Sequence, residues 1–221
     1  MTCAFTEAAV RLLASHADES NAGPMERYMK NQFPFLGIKA PLRRELSKQL
    51  FREQGIPENW EQAVERLWEL PEREYQYVAM DLLEKRKKQL TPEHLPWIVH
   101  WITTKSWWDT VDYLAAHATG KLFSLYPELI RPNVTAWVQG DDIWLARTAI
   151  LFQLSYKAKT DQELLFSLIE SCAASNQFFI QKAIGWSLRE YAKTEPEAVR
   201  GFAERTVLSN LSKREALKHL G

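Results

Sequence analysis

Apolar residues recur at helical spacing along most of the chain, and proline and glycine divide these stretches into short segments. After Pro57, for example, three apolar residues fall on one helical face: Trp60, Val64 and Leu67. The same pattern predicts helices over about 57–70, 72–88, 106–119, 142–157 and 176–193, with others beginning near residue 91 and at Pro196. Long alternating runs of β-branched residues are absent, so the sequence predicts an all-α fold.

Capping signals refine these helix boundaries. Three Ser or Thr residues precede an acidic residue by three positions, which is the spacing of a capping box. They are Ser106 with Asp109, Thr160 with Glu163 and Ser212 with Glu215. Gly120 is predicted to end the helix that Ser106 begins. This reading gives Asp109 a structural role at a helix start and leaves Asp112 without one.

Similar residues recur about 35 positions apart in the second half of the chain. The aromatic series is Trp108, Trp144 and Phe179, and the charged series is Asp112, Arg147 and Lys182. Such a period predicts a helix-pair repeat, shorter than the roughly 40–47 residues of HEAT and armadillo units. We therefore expect one domain, residues 1–221, that forms a HEAT-like solenoid. Stacked repeats would align the charged series along a concave face.

Charge and composition exclude several classes of protein. The 28 basic and 28 acidic residues cancel, which argues against a protein that coats nucleic acid by bulk charge. Neither Cys3 and Cys172 nor the scattered histidines have the spacing of metal ligands, so we expect no metal and no cofactor. No apolar run suits a membrane span or a signal peptide. We expect a cytoplasmic monomer.

The segment 104–112 holds the densest candidate chemistry. Trp108 and Asp112 are four residues apart and share one helical face. In most Trp–Asp pairs at this spacing, the aspartate is solvated and the tryptophan is half-buried. In the functional alternative, the carboxylate is held against an aromatic wall. Arg147 follows Trp144 by three residues, and the default for such an arginine is a surface ion pair.

Other candidates have equally plain structural explanations. Lys182, Trp186 and Arg189 fall on one face, either as a core tryptophan between two snorkelling basic side chains or as residues that bind DNA. Tyr28 lies in a short basic stretch that could extend a basic stripe. Five tryptophans are predicted to be core residues: Trp60, Trp68, Trp97, Trp101 and Trp137.

Long segments of the chain resemble the AlkD-type family of bacterial DNA alkylation-repair glycosylases. The segments are RYMKN (27–31), FLGI (35–38), LWELPEREYQ (67–76), TKSWWDTVD (104–112), IWLARTAILFQLSYK (143–157), FFIQKAIGWSLREYAKT (178–194) and LSKREALKH (211–219). The resemblance implies HEAT-like repeats whose concave face binds duplex DNA. It assigns functional roles to five residues: Tyr28, Trp108, Asp112, Arg147 and Trp186.

The resemblance also implies a reaction, namely release of cationic N3- or N7-alkylated purines from duplex DNA without base flipping. A cationic purine leaves without a general acid, so one carboxylate, Asp112, would stabilise the positive charge that develops on the sugar. Trp108 and Trp186 would pack around that sugar, and Arg147 would hold a phosphate. No lysine stands out as a Schiff-base nucleophile, which predicts a monofunctional enzyme. The alternatives are a non-catalytic HEAT-like scaffold for DNA or protein, and a lesion-binding protein that has lost excision.

Overall fold

The computed structural model describes residues 4–220, and all of the regular structure in this range is helical, as predicted. Cys3 lies outside the described residues. The chain forms two compact units that divide after Arg86. Within residues 4–220, no helix is long and apolar enough to cross a membrane.

The described part of the first unit, residues 4–86, contains five α-helices. They are α1 (Ala4–Ala14), α2 (Glu19–Tyr28), α3 (Ala40–Gln54), α4 (Trp60–Glu69) and α5 (Arg73–Arg86). Helix α4 packs along α5, and α1 packs on α3. The apolar series after Pro57 is buried in α4 as predicted, although the helix begins at Trp60 rather than at Pro57.

A buried carboxylate fixes the loop that follows α2. Glu74 is fully buried, and its side chain accepts hydrogen bonds from the backbone N–H groups of Leu36, Gly37 and Ile38, each at 3.0 Å. Gly37 has a φ of +85°, and a Cβ atom there would lie 2.0 Å from the carbonyl oxygen of Asp18. The loop therefore closes tightly on the start of α2, the helix that ends at Tyr28.

The second unit carries the remaining helices. They are α6 (Leu95–Thr103), α7 (Trp108–Tyr113), α8 (Gly120–Leu125), α9 (Ile130–Gln139), α10 (Ile143–Leu151), α11 (Gln162–Cys172), α12 (Phe178–Tyr191), α13 (Pro196–Arg205) and α14 (Asn210–Ala216). A π-helical segment, Leu114–Thr119, connects α7 to α8, and short 3-10 turns occupy Lys87–Gln89, Pro92–His94, Pro127–Leu129 and Lys157–Lys159. Helix α10 packs on both α7 and α12, and α12 packs on α14.

The prediction that Gly120 ends a helix is wrong. The helix that begins at Trp108 continues through the π-helical segment into α8 without a break. Gly120 is needed there for packing, because a Cβ atom would lie 2.5 Å from the carbonyl oxygen of Phe152. The Gly120 carbonyl accepts a hydrogen bond from the Tyr156 hydroxyl at 2.6 Å, which ties the same two segments together.

Helix α10 is shorter than predicted. It ends at Leu151 instead of reaching residue 157, and turns follow it. The side chain of Gln153 bonds to both the backbone N–H and the carbonyl of Asp161, at 2.7 and 3.3 Å, which folds the chain back on itself. Lys157 adopts a φ of +54°, a conformation that no α-helix accommodates.

All three predicted capping boxes are wrong. Helix α7 has Trp107 at its N-cap, and the Ser106 hydroxyl donates instead to the Ile102 carbonyl. Helix α11 is capped one residue after the predicted position, by Asp161. Helix α14 is capped by Ser209, three residues early. The box assigned to Ser212 and Glu215 therefore lies inside α14, which leaves the Glu215 carboxylate available for another role.

Four of the five tryptophans predicted to be core residues are buried: Trp60, Trp68, Trp101 and Trp137. Trp97 is not, because 44% of its surface is exposed and its ring stands edge-on to His94. The ring of Trp97 lies 6.5 Å from that of Trp101, but only Trp101 is buried in the core.

Candidate functional site

Three aromatic rings from three different helix starts meet in the second unit. Trp107 precedes α7, Trp144 lies in the first turn of α10, and Phe179 lies in the first turn of α12. The ring centroids of Trp107 and Trp144 are 5.8 Å apart, and Phe179 lies 5.1 and 4.9 Å from them. The starts of α7, α10 and α12, which the 35-residue interval relates, therefore lie side by side.

Asp112 and Arg147 form a two-bond ion pair beside these rings. The Nε atom of Arg147 donates to Oδ1 of Asp112 at 2.6 Å, and Nη2 donates to Oδ2 at 2.9 Å. The third guanidinium nitrogen, Nη1, donates to the carbonyl of Phe179. This fork-to-fork geometry fixes both carboxylate oxygens and is the strongest form of a carboxylate–arginine contact.

Burial separates the roles of the two partners. Arg147 is only 4% exposed, and its guanidinium lies 6.0 Å from the centre of the Phe179 ring. The family resemblance predicts that this arginine holds a phosphate. In the structure its nitrogens donate to protein oxygens, and two of them fix the orientation of Asp112.

Burial raises the pKa of Asp112 above its ordinary value, while the hydrogen bonds and charge of Arg147 oppose that rise. Asp109, one turn earlier on α7, adds a smaller repulsion that also raises the pKa. A carboxylate in this position is poorly solvated, so its charge acts strongly on any cation that enters the site. The guanidinium holds it in one orientation.

A cavity of about 280 Å³ opens in front of the ion pair. Its lining residues come from α7, α10 and α12: Trp108, Asp112, Arg147, Phe178, Phe179, Lys182, Trp186 and Arg189. Six of the seven residues that sequence analysis selected therefore line one cavity. The lining contains four aromatic side chains and one carboxylate, and its two more exposed cations, Lys182 and Arg189, are called the rim cations.

The two rim cations share one acidic partner. Lys182 Nζ lies 3.0 Å from Oε1 of Glu215, and Nη1 of Arg189 pairs with Oε2 of the same carboxylate. These contacts lower the pKa of Glu215, with the hydrogen bond from Lys182 as the largest cause. Glu215 comes from α14 and was assigned to a capping box in sequence analysis, so its place at this site was missed.

Phe178 was also missed, and 58% of its surface is exposed at the edge of the cavity. Its ring stands nearly perpendicular to that of Phe179, with centroids 5.4 Å apart. The signal for this residue was its position one residue before Phe179 at the start of α12. The exposed ring extends the aromatic lining of the cavity towards solvent.

Tyr28 is the one selected residue that belongs to the first unit. It ends α2, is 70% exposed, and lines a cavity of about 330 Å³ together with Met25, Arg43 and Tyr77. The guanidinium of Arg43 lies over the Tyr77 ring, 4.8 Å from its centre. An exposed tyrosine beside a cation is chemically suited to contact with a nucleic-acid backbone.

Metal-binding chemistry is not apparent in the described part of the chain. Within residues 4–220, no group of three or more His, Cys, Asp or Glu side chains is arranged to hold a metal ion. Cys172 is a buried free thiol whose pKa burial raises to about 11. It therefore has the character of a core residue.

Comparison with known proteins gives two findings. Residues 9–220 match the family described as DNA alkylation repair enzyme. A solved structure described as a predicted DNA alkylation repair enzyme from Enterococcus faecalis is similar, with a TM-score of 0.85 and 38% sequence identity. The match covers 93% of this chain and 97% of that one. No curated protein sequence gives a significant match.

Proposed function

Because the chain belongs to the DNA alkylation repair enzyme family, we propose that it is a monofunctional DNA glycosylase that releases cationic N3- and N7-alkylated purines from duplex DNA. 3-Methyladenine and 7-methylguanine are the model lesions. The carrying observation is the Asp112 carboxylate, which Arg147 holds by two hydrogen bonds inside an aromatic cavity with a cationic rim.

The chemistry of the lesion fits a site with one carboxylate. As the bond from the sugar C1′ to the purine nitrogen breaks, its electron pair moves onto the base, which leaves as a neutral molecule. Positive charge develops on the deoxyribose, and water then adds to C1′ and loses a proton. Asp112 would stabilise that charge and orient the water. Because the base already carries a positive charge, no second carboxyl group is required to protonate it.

The aromatic walls support the same step. The faces of Trp108 and Trp186 would pack against the deoxyribose, and each could contribute about 0.5–2 kcal/mol of attraction to a cationic sugar. Lys182 and Arg189 at the rim would contact phosphates of the lesion strand. Tyr28, on the first unit, would contact the backbone elsewhere on the duplex.

We propose that excision proceeds with the base still in the stack. The charged groups lining the cavity are one carboxylate and three cations, and the two cations that do not bind that carboxylate suit phosphates better than the hydrogen-bonding edge of a base. A duplex with 2-aminopurine beside the lesion tests this step, because a flipped base would raise its fluorescence. Unchanged fluorescence on binding is expected, and a large increase would refute it.

The activity would not include strand cleavage. A Schiff-base lysine needs a neutral amine, whereas Lys182, the one lysine among the lining residues, is paired with Glu215. Borohydride should therefore trap no covalent complex between the protein and DNA. A trapped complex that Lys182→Met abolished would change the class of enzyme.

A non-catalytic DNA-binding scaffold is the second candidate, and one observation favours it. The ion pair with Arg147 gives Asp112 a structural role that the sequence did not predict. If Asp112 serves only to hold α7 against α10, its carboxylate needs no catalytic role.

Release of free base from a duplex with a single 7-methylguanine decides between the two. Wild type should release the base and Asp112→Asn should not, while both bind the duplex. If neither protein releases 7-methylguanine or 3-methyladenine and both are folded, the glycosylase proposal fails and the scaffold stands.

A further inference from the structure

Glu215 occupies a position that the proposed chemistry does not use. Its two oxygens contact the two rim cations, one each, so the three side chains together carry a single net positive charge. A site that needed only phosphate affinity would gain from leaving both cations uncompensated. The carboxylate therefore lowers the attraction for DNA in general, which calls for a compensating benefit.

The contact between α12 and α14 brings this carboxylate to the rim. Gly185 lies one turn beyond Lys182, and a Cβ atom there would lie 2.5 Å from Cβ of Glu215 and 3.0 Å from the carbonyl of Ser212. The hydroxyl of Ser212 donates to the carbonyl of Gln181 at 2.9 Å. Because residue 185 is a glycine, the Cβ atom of Glu215 can pack directly against the backbone of α12.

The three groups are partly buried and in contact with each other. The side chain of Glu215 is 17% exposed, compared with 36% for Lys182 and 23% for Arg189. Long cationic side chains at a surface ordinarily sample many rotamers, and fixing them costs about 1–2 kcal/mol of conformational entropy each. Ion pairs with a shared, partly buried carboxylate can offset that loss of entropy before DNA binds.

Resting on the proposed function, we propose that Glu215 is a positioning residue that fixes Lys182 and Arg189 as a preformed phosphate clamp beside Asp112. Glu215 would lower the general affinity for DNA and improve the placement of the lesion strand. Misplacement of reacting groups by about 1 Å can cost on the order of 100-fold in rate, so such placement can outweigh the lost attraction.

Glu215→Gln tests the proposal because it removes the charge and keeps the size. We expect binding to unmodified duplex that is as tight as in wild type or tighter. The dependence of log Kd on log salt should be steeper by up to about 0.9, because the variant gains one net positive charge at the rim. Single-turnover excision of 7-methylguanine at saturating protein should fall about 10- to 100-fold.

Two further variants sharpen the test. Glu190→Gln removes a carboxylate of α12 that pairs with Lys193 and lines a different cavity, and it should leave rate and salt slope unchanged. Glu215→Asp keeps the charge and changes the reach. It should lower the rate while the salt slope stays that of wild type, and it serves as the main test if Glu215→Gln does not fold.

The outcomes separate positioning from a purely structural role. A fall in excision rate without weaker binding supports the clamp. An excision rate within twofold of wild type refutes it, as does a parallel loss of rate, DNA affinity and melting temperature. If the wild type releases no base, the glycosylase proposal fails by itself, and an unchanged salt slope in Glu215→Gln would still refute the clamp.

Discussion

Asp112 and Arg147 are joined by two hydrogen bonds, from Nε to Oδ1 and from Nη2 to Oδ2, across the contact between α7 and α10. The arginine is buried, and its third nitrogen donates to the carbonyl of Phe179. The carboxylate is therefore held in one orientation in the lining of the cavity. A carboxylate that a buried group has already positioned needs no rearrangement when charge develops beside it.

Replacement of Asp112 by asparagine should separate excision from binding. The side chain keeps its size but loses its charge, so we expect the single-turnover rate to fall about 100- to 1,000-fold. Binding to alkylated duplex should be undiminished or tighter, because a negative charge near the phosphates is removed. Base release and Kd are measured on the same duplex. The exposed Asp141 provides a control in Asp141→Asn, and equal losses of binding and excision would indicate a structural role.

Excision should decline at acid pH as Asp112 becomes protonated. Burial raises the pKa of this carboxyl group, so the decline should begin at higher pH than the ordinary aspartate value of about 3.9 would give. The lesion stays cationic on the acid side, so its own charge does not obscure the profile. The check is the pH dependence of single-turnover base release at saturating protein.

Arg147→Lys should move that decline to still higher pH. Lysine cannot reproduce the two-bond contact, and loss of hydrogen bonds that favour the carboxylate raises the pKa of Asp112 further. The profile of the variant is compared with that of wild type on the same substrate. If excision by the variant declines at the same pH as in wild type, or at lower pH, the ion pair does not control the ionisation of Asp112.

Salt dependence should distinguish the rim cations from the buried arginine. Arg189→Ala removes a cation that we place against a phosphate, so the slope of log Kd against log salt should become shallower by up to about 0.9. The family resemblance predicts the same of Arg147. Since Arg147 is buried and its nitrogens donate to protein oxygens, we expect Arg147→Ala, which removes the charge, to leave the slope unchanged. A shallower slope in Arg147→Ala would support the phosphate role.

Helical periodicity and the 35-residue interval were enough to predict the all-α class and to select most of the cavity lining. They succeeded because equivalent residues at the starts of α7, α10 and α12 lie side by side. Asp112 and Arg147 were both selected, but their direct contact was not anticipated. The interval identifies equivalent positions in neighbouring helices. It does not predict whether two side chains contact each other or are both exposed.

Residues whose role depends on a distant segment could not be predicted from local signals. Glu215 matched a capping box by spacing, yet α14 begins at Asn210 and is capped by Ser209. Gly120 resembled a helix terminator, whereas the carbonyl of Phe152, 32 positions further along the chain, is what requires a glycine there. Glycines that permit close helix packing have the same local sequence signature as glycines that end helices.

Gly120→Ala should destabilise the second unit, although alanine is the better helix former. The added Cβ would lie 2.5 Å from the carbonyl oxygen of Phe152, which is backbone and cannot rotate away. Overpacking of this kind costs about 1–3 kcal/mol. The matched control is Gly201→Ala in α13, where the nearest atom is the end of the flexible Arg205 side chain at 3.7 Å. That variant should gain about 0.5–1 kcal/mol from helix propensity alone. Equilibrium unfolding in urea measures both changes, and shifts of the same sign in the two variants would refute the packing role of Gly120.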